Sequence, residues 1–258
     1  MNLNQFLDFV KSDERFGDCI ASTLTVPAPD ARYAPVPEQL DARLRAALYV
    51  QGIRDLYSHQ SEAVEAALDG ENVVTVTPTA SGKSLTYMLP IFQRKLENPH
   101  ARALLLFPTK ALSQDQQAAL NSFNDACETD FRIFTFDGDT PVAARRKITE
   151  AGDFVVTNPD MLHAGILPHH TQWIKLFENL EFIVIDELHT YRGIFGSHVA
   201  NLLRRLLRIC AFYGARPRFL ASSATIANPA EHAERNTGQP YRLVNNNGAP
   251  RGARHILF

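Results

Sequence analysis

Short apolar runs alternate with longer amphipathic stretches along most of this chain. From residue 72 onward, six runs rich in β-branched and other apolar residues are each separated by enough chain to form a helix. These runs cover residues 72–77, 103–107, 132–136, 154–157, 181–185 and 218–222. Runs that are apolar on both faces and are linked by crossover helices are typical of a parallel sheet that is buried on both sides. The pattern therefore predicts an α/β fold, with a mostly parallel sheet covered by helices on both faces.

One helix can be predicted in detail because its apolar residues recur at intervals of three and four. This stripe consists of Val199, Leu202, Leu203, Leu206, Leu207 and Cys210. Such spacing places all these side chains on one helix face, which we expect to pack against the core. The opposite face carries Arg204, Arg205 and Arg208. We interpret that face as solvated, and the alternative is a contact with a polyanion.

The two ends of the chain do not share the alternating pattern of its centre. The first forty residues contain four prolines and no sustained periodicity, so we expect residues 1–50 to form an N-terminal extension. Residues 51–250 are expected to form one large domain, which suits a chain of 258 residues. The last apolar run, His255–Phe258, resembles the start of a strand, so we expect residues 251–258 to begin a second domain.

The composition excludes several classes of protein. Hydrophobic residues make up 45% of the chain and charged residues 21%, which allows a packed core and excludes a disordered chain. The three cysteines form no CxxC pair, which argues against a zinc module and a disulfide framework. No apolar run approaches the ~20 residues of a membrane helix, and the N-terminus carries no recognisable secretory signal. We therefore expect a cytoplasmic protein that does not bind a membrane.

A phosphate-binding loop is predicted directly after the first apolar run. The segment Thr77–Ser84 reads TPTASGKS, which differs from the form GxxxxGK[ST] only at the first glycine. Gly82 lets the backbone approach a phosphate closely, Lys83 is placed to neutralise the β- and γ-phosphates, and the Ser84 hydroxyl is suited to Mg²⁺. The residues predicted to bind the nucleotide here are Thr79, Ala80, Ser81, Gly82, Lys83 and Ser84.

An acidic pair follows the fifth apolar run, where Asp186 and Glu187 come directly after residues 181–185. The carboxyl ends of parallel strands line the ligand crevice, so Asp186 is expected to share the Mg²⁺ with Ser84. Glu187 is expected to orient and deprotonate the attacking water. With Lys83, these two acids form the predicted catalytic set, and the combination indicates hydrolysis of Mg-ATP or Mg-GTP.

Several motifs together resemble the superfamily 2 helicases of the DEAD/DEAH type. The matching segments are Asp186–His189, Ser222–Thr225, Phe107–Leu112, Thr157–Leu162 and, for the glutamine motif, Tyr57–Gln60. The resemblance implies a RecA-like P-loop domain, and it implies that Gln60 reads the adenine edge, which makes ATP the preferred nucleotide. It also implies that residues 251–258 begin a second RecA-like domain, which the chain does not complete.

Three segments resemble a narrower group, the mitomycin-repair helicases known as the MrfA (YprA) group. They are Leu56–Gln60, Asp137–Thr140 and His189–Asn201. This resemblance implies a 3′-to-5′ DNA helicase of DNA repair that uses ATP and Mg²⁺ and binds single-stranded DNA or a 3′-tailed duplex. Members of the group carry a second RecA-like domain that supplies arginine fingers. Since such a finger contributes ~10³–10⁵ in rate, we expect this chain alone to turn over little ATP.

The same resemblance implies which residues contact DNA. Because the net charge is only -2, a nucleic-acid site on this chain must be a local patch. The implied backbone contacts are Pro108, Thr109, Lys110, Thr157 and Asn158. Without the neighbouring motifs, Lys110 is better interpreted as a solvated lysine at the start of a helix. The residues implied to couple nucleotide state to DNA state are His189, Ser223, Ala224 and Thr225. Two alternatives stay open: an RNA helicase domain, and a non-catalytic ATP-binding interaction module.

Overall fold

The computed structural model describes all 258 residues, and they form two compact units. The larger unit is Tyr33–Gly248, and the smaller one combines Met1–Arg32 with Ala249–Phe258. The helices are α1 (Leu3–Ser12), α2 (Ala42–Val50), α3 (Ser58–Leu68), α4 (Ser84–Glu97), α5 (Lys110–Ala126), α6 (Val142–Ala151), α7 (Pro159–Met161), α8 (Ile174–Glu178), α9 (Gly193–Phe212) and α10 (Pro229–Thr237). The strands are β1 (Thr23–Val26), β2 (Tyr33–Ala34), β3 (Leu56–Tyr57), β4 (Val73–Val76), β5 (Arg102–Leu106), β6 (Ile133–Thr135), β7 (Phe154–Thr157), β8 (Leu180–Ile185), β9 (Arg218–Ser223), β10 (Arg242–Val244) and β11 (Arg254–Leu257).

A seven-stranded sheet forms the centre of the larger unit. Its strand order is β10-β4-β9-β8-β5-β7-β6, and every neighbouring pair is parallel. All six predicted runs are strands of this sheet, so the predicted α/β fold is confirmed. The seventh strand, β10, has only three residues and was not predicted from the sequence.

Helices cover both faces of the sheet because successive strand residues point to opposite sides. On one side, Leu105 and Val184 pack against the buried residues of α2, α3, α4 and α5. On the other side, Leu104 and Ile183 pack against α8, α9 and α10. This two-sided burial explains why the strand sequences are continuous apolar runs rather than alternating ones.

Helix α9 confirms the predicted apolar stripe. Five of its members are buried and Leu207 is half-buried against the same core. On the other face, Arg204 and Arg208 are exposed and Arg205 is partly buried. Arg204 donates to the carbonyl of Arg235 at 3.2 Å. These positions agree with the interpretation of a solvated face.

The ends of the chain divide at a different place from the predicted boundary at residue 50. Residues 33–50 belong to the larger unit, because Leu40, Leu44 and Leu48 are buried in its core. In the smaller unit, β1 pairs antiparallel with β11, with Val26 opposite Arg254. The assignment of residues 251–258 to a second RecA-like domain stays a prediction. None of the helices combines the length and hydropathy needed to cross a lipid bilayer.

Candidate active site

The candidate site lies where the central strands end, at the carboxyl edge of the sheet. In the parallel register Val76 of β4 lies beside Ser223 of β9, and Ile185 of β8 lies beside Ala221. The segments that follow β4, β8 and β9 therefore leave the sheet next to one another. The predicted phosphate loop, the acidic pair and the coupling segment are consequently brought to one place, as expected for a doubly wound α/β sheet.

The phosphate loop joins β4 to α4 and is held in shape by its own contacts. The Thr77 and Ser81 hydroxyl oxygens are 2.6 Å apart and share a hydrogen bond. Ala80 and Gly82 adopt left-handed backbone conformations, with φ of 60° and 77°. These conformations turn the loop towards the first turn of a 14-residue helix, where unpaired N–H groups and the helix dipole favour an anion. Thr79 lies exposed at the tip of the loop, whereas the Ser81 side chain is buried beneath it.

Lys83 lies inside the phosphate loop in this structure. Its Nζ donates to the carbonyl oxygens of Thr77 at 3.0 Å and Pro78 at 2.8 Å. Partial burial lowers the pKa of Lys83, and the negative charges of Glu187 and Asp186 oppose that shift. The two carbonyl contacts hold the ammonium group at the loop, where it can transfer to the oxygens of a bound phosphate.

Asp186 is a buried carboxylate with donors on only one side. Its Oδ1 accepts from the Ser222 hydroxyl and, at 2.8 Å, from the N–H of Glu187. Burial raises the pKa of Asp186, because desolvation destabilises the charged carboxylate more than these two hydrogen bonds stabilise it. A divalent cation would stabilise such a group, and the Ser84 hydroxyl supplies a second hard oxygen. The residues present therefore fit Mg²⁺.

Glu187 combines a strained backbone with an unpartnered oxygen. Its φ of 49° and ψ of 43° lie in the left-handed region, and its carbonyl is held by the N–H and the hydroxyl of Thr190, both at 2.8 Å. Strain of this kind persists where the surrounding contacts over-determine it, often at functional sites. The buried Oε2 accepts no hydrogen bond.

His189 lies 3.2 Å from that oxygen, measured from Nδ1 to Oε2 of Glu187, and the two would form an ion pair only with a protonated ring. The N–H of Ala224 donates to the same Nδ1 at 3.3 Å, and a ring nitrogen that accepts carries no proton in neutral imidazole. Oε2 of Glu187 is therefore free to accept from another donor. The contact between His189 and Ala224 also joins the acidic pair to the segment after β9, and the coupling of nucleotide state to DNA state through it stays a prediction.

The segment Ser222–Thr225 contacts Asp186 through a residue that was not in the predicted set. Ser222 donates to Asp186, whereas the hydroxyl of Ser223 donates to the carbonyl of Ala224 at 2.8 Å, and Thr225 is exposed. The sheet register explains this contact, because Ala221 lies opposite Ile185 and Ser222 therefore falls beside Asp186.

Gln60 is buried and uses both ends of its amide within the chain. Its Oε1 accepts from the N–H of Tyr57 at 2.9 Å, and its Nε2 donates to the carbonyl of Gly82 at 2.8 Å. A cavity of ≈ 440 Å³ opens beside it, lined among others by Tyr33, Ile53 and Tyr57. The volume suits a small organic ligand. Reading of an adenine edge by Gln60 stays a prediction, and the geometry shows that Gln60 also anchors the phosphate loop.

His59 is a second link to the phosphate loop that the sequence analysis missed. The ring is fully buried, with Nε2 3.1 Å from the carbonyl of Ser81 and Nδ1 3.2 Å from the N–H of Gly248. Because the backbone N–H can only donate, Nδ1 accepts and Nε2 carries the proton. Desolvation is the main cause that lowers the pKa of His59 to about 4. Its position directly before Gln60 was the only signal available in the sequence.

The predicted DNA contacts lie at the ends of β5 and β7, and they differ in exposure. Thr109 and Lys110 are exposed at the start of α5, where the Thr109 hydroxyl oxygen accepts from the N–H of Leu112, and Pro108 is half-buried. Lys110 pairs with Asp139 at 2.7 Å, and this partner raises the pKa of the lysine.

The end of β7 requires a correction to the predicted contacts. Thr157 is fully buried, and its hydroxyl donates to the carbonyl of Phe136 at 2.6 Å, so this side chain does not reach a bound strand. Asn158 is partly exposed, and its Oδ1 accepts from the N–H of Met161 at 2.8 Å. The amide nitrogen of Asn158 makes no hydrogen bond and is the group at this turn that can donate to a phosphate.

Known proteins similar to this chain are helicases. The ATP-dependent helicase YprA of Bacillus subtilis (strain 168) is 54% identical over 247 residues, which is 96% of this chain and 33% of that protein. The ATP-dependent helicase hrq1 of Schizosaccharomyces pombe is 38% identical over 264 residues, covering 100% of this chain and 25% of that protein. This chain therefore spans a third or less of the length of these two relatives.

A crystal structure described as the DUF1998 helicase MrfA bound to DNA and AMPPNP has a TM-score of 0.95 and 52% sequence identity, covering 100% of this chain and 36% of that one. The family model for the DEAD/DEAH box helicases matches residues 57–233, a range that runs from Tyr57 beside the cavity, through the phosphate loop and the acidic pair, into α10. With these motifs assembled at one edge of the sheet, the chain belongs to the DEAD/DEAH box helicase family.

Proposed function

We propose that this chain is the first RecA-like, ATP-binding domain of an ATP-dependent DNA helicase that acts 3′-to-5′ in DNA repair. The observation that carries the proposal is the Glu187 carboxylate, whose Oε2 accepts no hydrogen bond and which follows the buried Asp186 at the sheet edge where the phosphate loop also lies. The helicase MrfA, similar to this chain along its whole length, has been solved with DNA and AMPPNP. The direction and the repair role rest on the resemblance to the mitomycin-repair helicases.

Nucleotide binding begins with the phosphate loop. The N–H groups at the start of α4 and the ammonium of Lys83 would hold the phosphates, and the nucleoside would lie towards the cavity beside Gln60. Lys83 would exchange its two carbonyl acceptors for phosphate oxygens. A magnesium ion, held by Ser84 and Asp186, would neutralise charge on the phosphates.

Glu187 would act as the general base. Its backbone is held in a strained conformation, and its carboxylate can accept the proton of a water molecule that attacks the terminal phosphate. Oε2 is enclosed by protein whereas the Glu187 side chain as a whole is 26% exposed, so the carboxylate would turn to present an oxygen to that water. Positioning and charge neutralisation supply most of the rate in phosphoryl transfer, which suits this rigid arrangement.

DNA would cross the exposed loops at the start of α5 and after β7. Thr109, Lys110 and Asn158 present a hydroxyl, an ammonium and an amide, which contact phosphates without reading sequence. Lys110 would exchange Asp139 for a phosphate. Few such contacts predict a shallow dependence of affinity on salt concentration.

The remaining parts of the activity would come from a second RecA-like domain in a longer chain. This chain spans about a third of the length of YprA and of MrfA. The second domain would supply arginine fingers, each worth ~10³–10⁵ in rate, so the 258-residue chain would bind ATP far better than it hydrolyses it. We place the protein in the cytoplasm.

The test compares nucleotide binding with turnover. In the 258-residue chain, Lys83→Ala should abolish tight binding of a fluorescent ATP analogue, whereas Glu187→Gln should keep it. In the full-length protein, Glu187→Gln should remove the ATP turnover that single-stranded DNA stimulates. Normal turnover by that variant would refute the assigned base. If the unsubstituted full-length protein hydrolyses ATP no faster than its Glu187→Gln variant, the non-catalytic ATP-binding module is favoured. If it binds RNA more tightly than a DNA strand of the same sequence, the RNA helicase is favoured.

A further inference from the structure

A glutamine on α5 contacts the proposed magnesium ligand. Gln116 is half-buried, and its Oε1 accepts hydrogen bonds from the Ser84 hydroxyl at 3.2 Å and from the Tyr87 hydroxyl at 2.8 Å. Ser84 and Tyr87 lie three residues apart on one face of α4, so the glutamine reaches across to both. Neither the predicted site residues nor the helicase motifs discussed above include Gln116.

The contact determines which way the Ser84 hydroxyl points. A serine hydroxyl has one proton and two lone pairs. While the proton is donated to Gln116, the lone pairs face away from α5 and can be offered to a cation. Without that acceptor the Ser84 hydroxyl keeps a contact with the Tyr87 hydroxyl, but its proton is no longer held towards α5 and away from the metal.

Tyr87 keeps the glutamine amide in place. Its side chain is only 1% exposed, so the hydroxyl needs a partner inside the protein, and Oε1 of Gln116 is that partner. A fully buried donor that loses its acceptor costs ~1–3 kcal/mol. The tyrosine therefore disfavours other rotamers of Gln116, and the Ser84 hydroxyl meets a fixed acceptor.

The same helix begins at the proposed DNA site. Lys110 is the first residue of α5 and Gln116 follows six positions later, about 9 Å along the helix axis at 1.5 Å per residue. The next residue, Gln117, fixes the helix to β6 by accepting from the Thr135 hydroxyl at 2.8 Å and donating to the carbonyl of Ile133 at 3.2 Å. A phosphate bound at Lys110 would therefore contact α5 directly, and an ion bound at Ser84 would act on the same helix through Gln116.

We propose that Gln116 is a positioning residue that orients the Ser84 hydroxyl for Mg²⁺ and links the metal site to DNA bound at the start of α5. The inference rests on the proposed function, since it assumes that Ser84 binds the ion and Lys110 the DNA. Partners of this kind, which orient a metal ligand without touching the metal, are worth about 10- to 100-fold in metal affinity.

Three variants separate this role from a structural one. Gln116→Leu removes the acceptor at similar volume, and Gln116→Glu restores an acceptor oxygen at the same position. Gln114→Leu is the matched control, because Gln114 lies on the same helix, is exposed, and its side chain makes no hydrogen bond. None of these variants changes a residue that would touch the nucleotide, the metal or DNA.

The measurement is the affinity of the 258-residue chain for a fluorescent ATP analogue, in EDTA and across a series of Mg²⁺ concentrations. We expect Gln116→Leu to leave the affinity in EDTA unchanged and to raise the Mg²⁺ concentration for half-maximal enhancement by about tenfold or more. Gln116→Glu and Gln114→Leu should keep the parent value. An unchanged Mg²⁺ requirement, or an equal loss of affinity in EDTA, would overturn the positioning role.

Single-stranded DNA provides the second measurement. Because coupling between two sites is reciprocal, DNA should change the affinity of the parent protein for the Mg²⁺-bound analogue, and Gln116→Leu should lose that change. If DNA changes the affinity for the Mg²⁺-bound analogue equally in the parent and in Gln116→Leu, or changes it in neither, the link between the two sites is refuted. Failure of the parent to bind the analogue at any Mg²⁺ concentration would instead refute the proposed function, and this inference with it.

Discussion

Acidification should destabilise the larger unit through His59. The imidazole is fully buried, and both of its nitrogens are committed, one to the carbonyl of Ser81 and the other to the N–H of Gly248. A second ring proton would face the N–H of Gly248 and break that hydrogen bond. Burial lowers the pKa of His59 to about 4 from its ordinary value of 6.5, and the positive charge of Lys83 acts in the same direction.

The pKa difference sets the size and the direction of the effect. Between pH 6.5 and pH 4 the unfolded chain binds a proton at His59 that the folded chain does not. The stabilisation is therefore fully present above pH 6.5 and is lost progressively as the pH falls to about 4. A difference of about 2.5 pKa units, at 1.36 kcal/mol each, corresponds to about 3 kcal/mol of unfolding free energy.

Urea unfolding, followed by the fluorescence of the single, buried Trp173, measures this quantity at several pH values. His59→Asn removes the titrating ring and leaves an amide oxygen that can accept from the N–H of Gly248. His163→Asn, at an exposed histidine, is the control. The unfolding free energies of the parent and His59→Asn should converge by about 3 kcal/mol between pH 7 and pH 4. Parallel pH profiles would refute the reasoning.

Three further substitutions test the site and the core. Ala80→Gly should relieve a left-handed backbone and raise the unfolding free energy in urea by up to about 1 kcal/mol, and a loss of stability would contradict this. Gly82→Ala should weaken binding of a fluorescent ATP analogue about tenfold or more. Gly82 has a φ of 77°, which alanine rarely adopts, and the new Cβ would collide with the Gln60 amide. An unchanged affinity would contradict this expectation. Asp153→Ala should lower the unfolding free energy measured in urea by about 3–5 kcal/mol. The substitution leaves the charge of Lys95, whose side chain is 6% exposed, buried without its acidic partner. A decrease below about 1 kcal/mol would contradict this expectation.

Much of the fold follows from local patterns in the sequence. The six apolar runs are strands and the stripe from Val199 to Cys210 faces the core, because side-chain periodicity reports burial directly. The phosphate loop and the acidic pair were also recognisable, since their chemistry requires particular residues at adjacent positions. Strand β10 escaped prediction because it contributes only two consecutive apolar residues, Leu243 and Val244, which form no recognisable run.

Contacts between distant segments depend on the strand order and register of the sheet. Thr157 has the chemistry of a phosphate contact, yet it is buried and its hydroxyl donates to the carbonyl of Phe136. Ser222 rather than Ser223 reaches Asp186 because of the register between β8 and β9. His59 and Gln116 each meet partners more than twenty positions away in the chain. Periodicity reports which face of an element is buried, whereas the residue it meets there depends on how all the elements pack together.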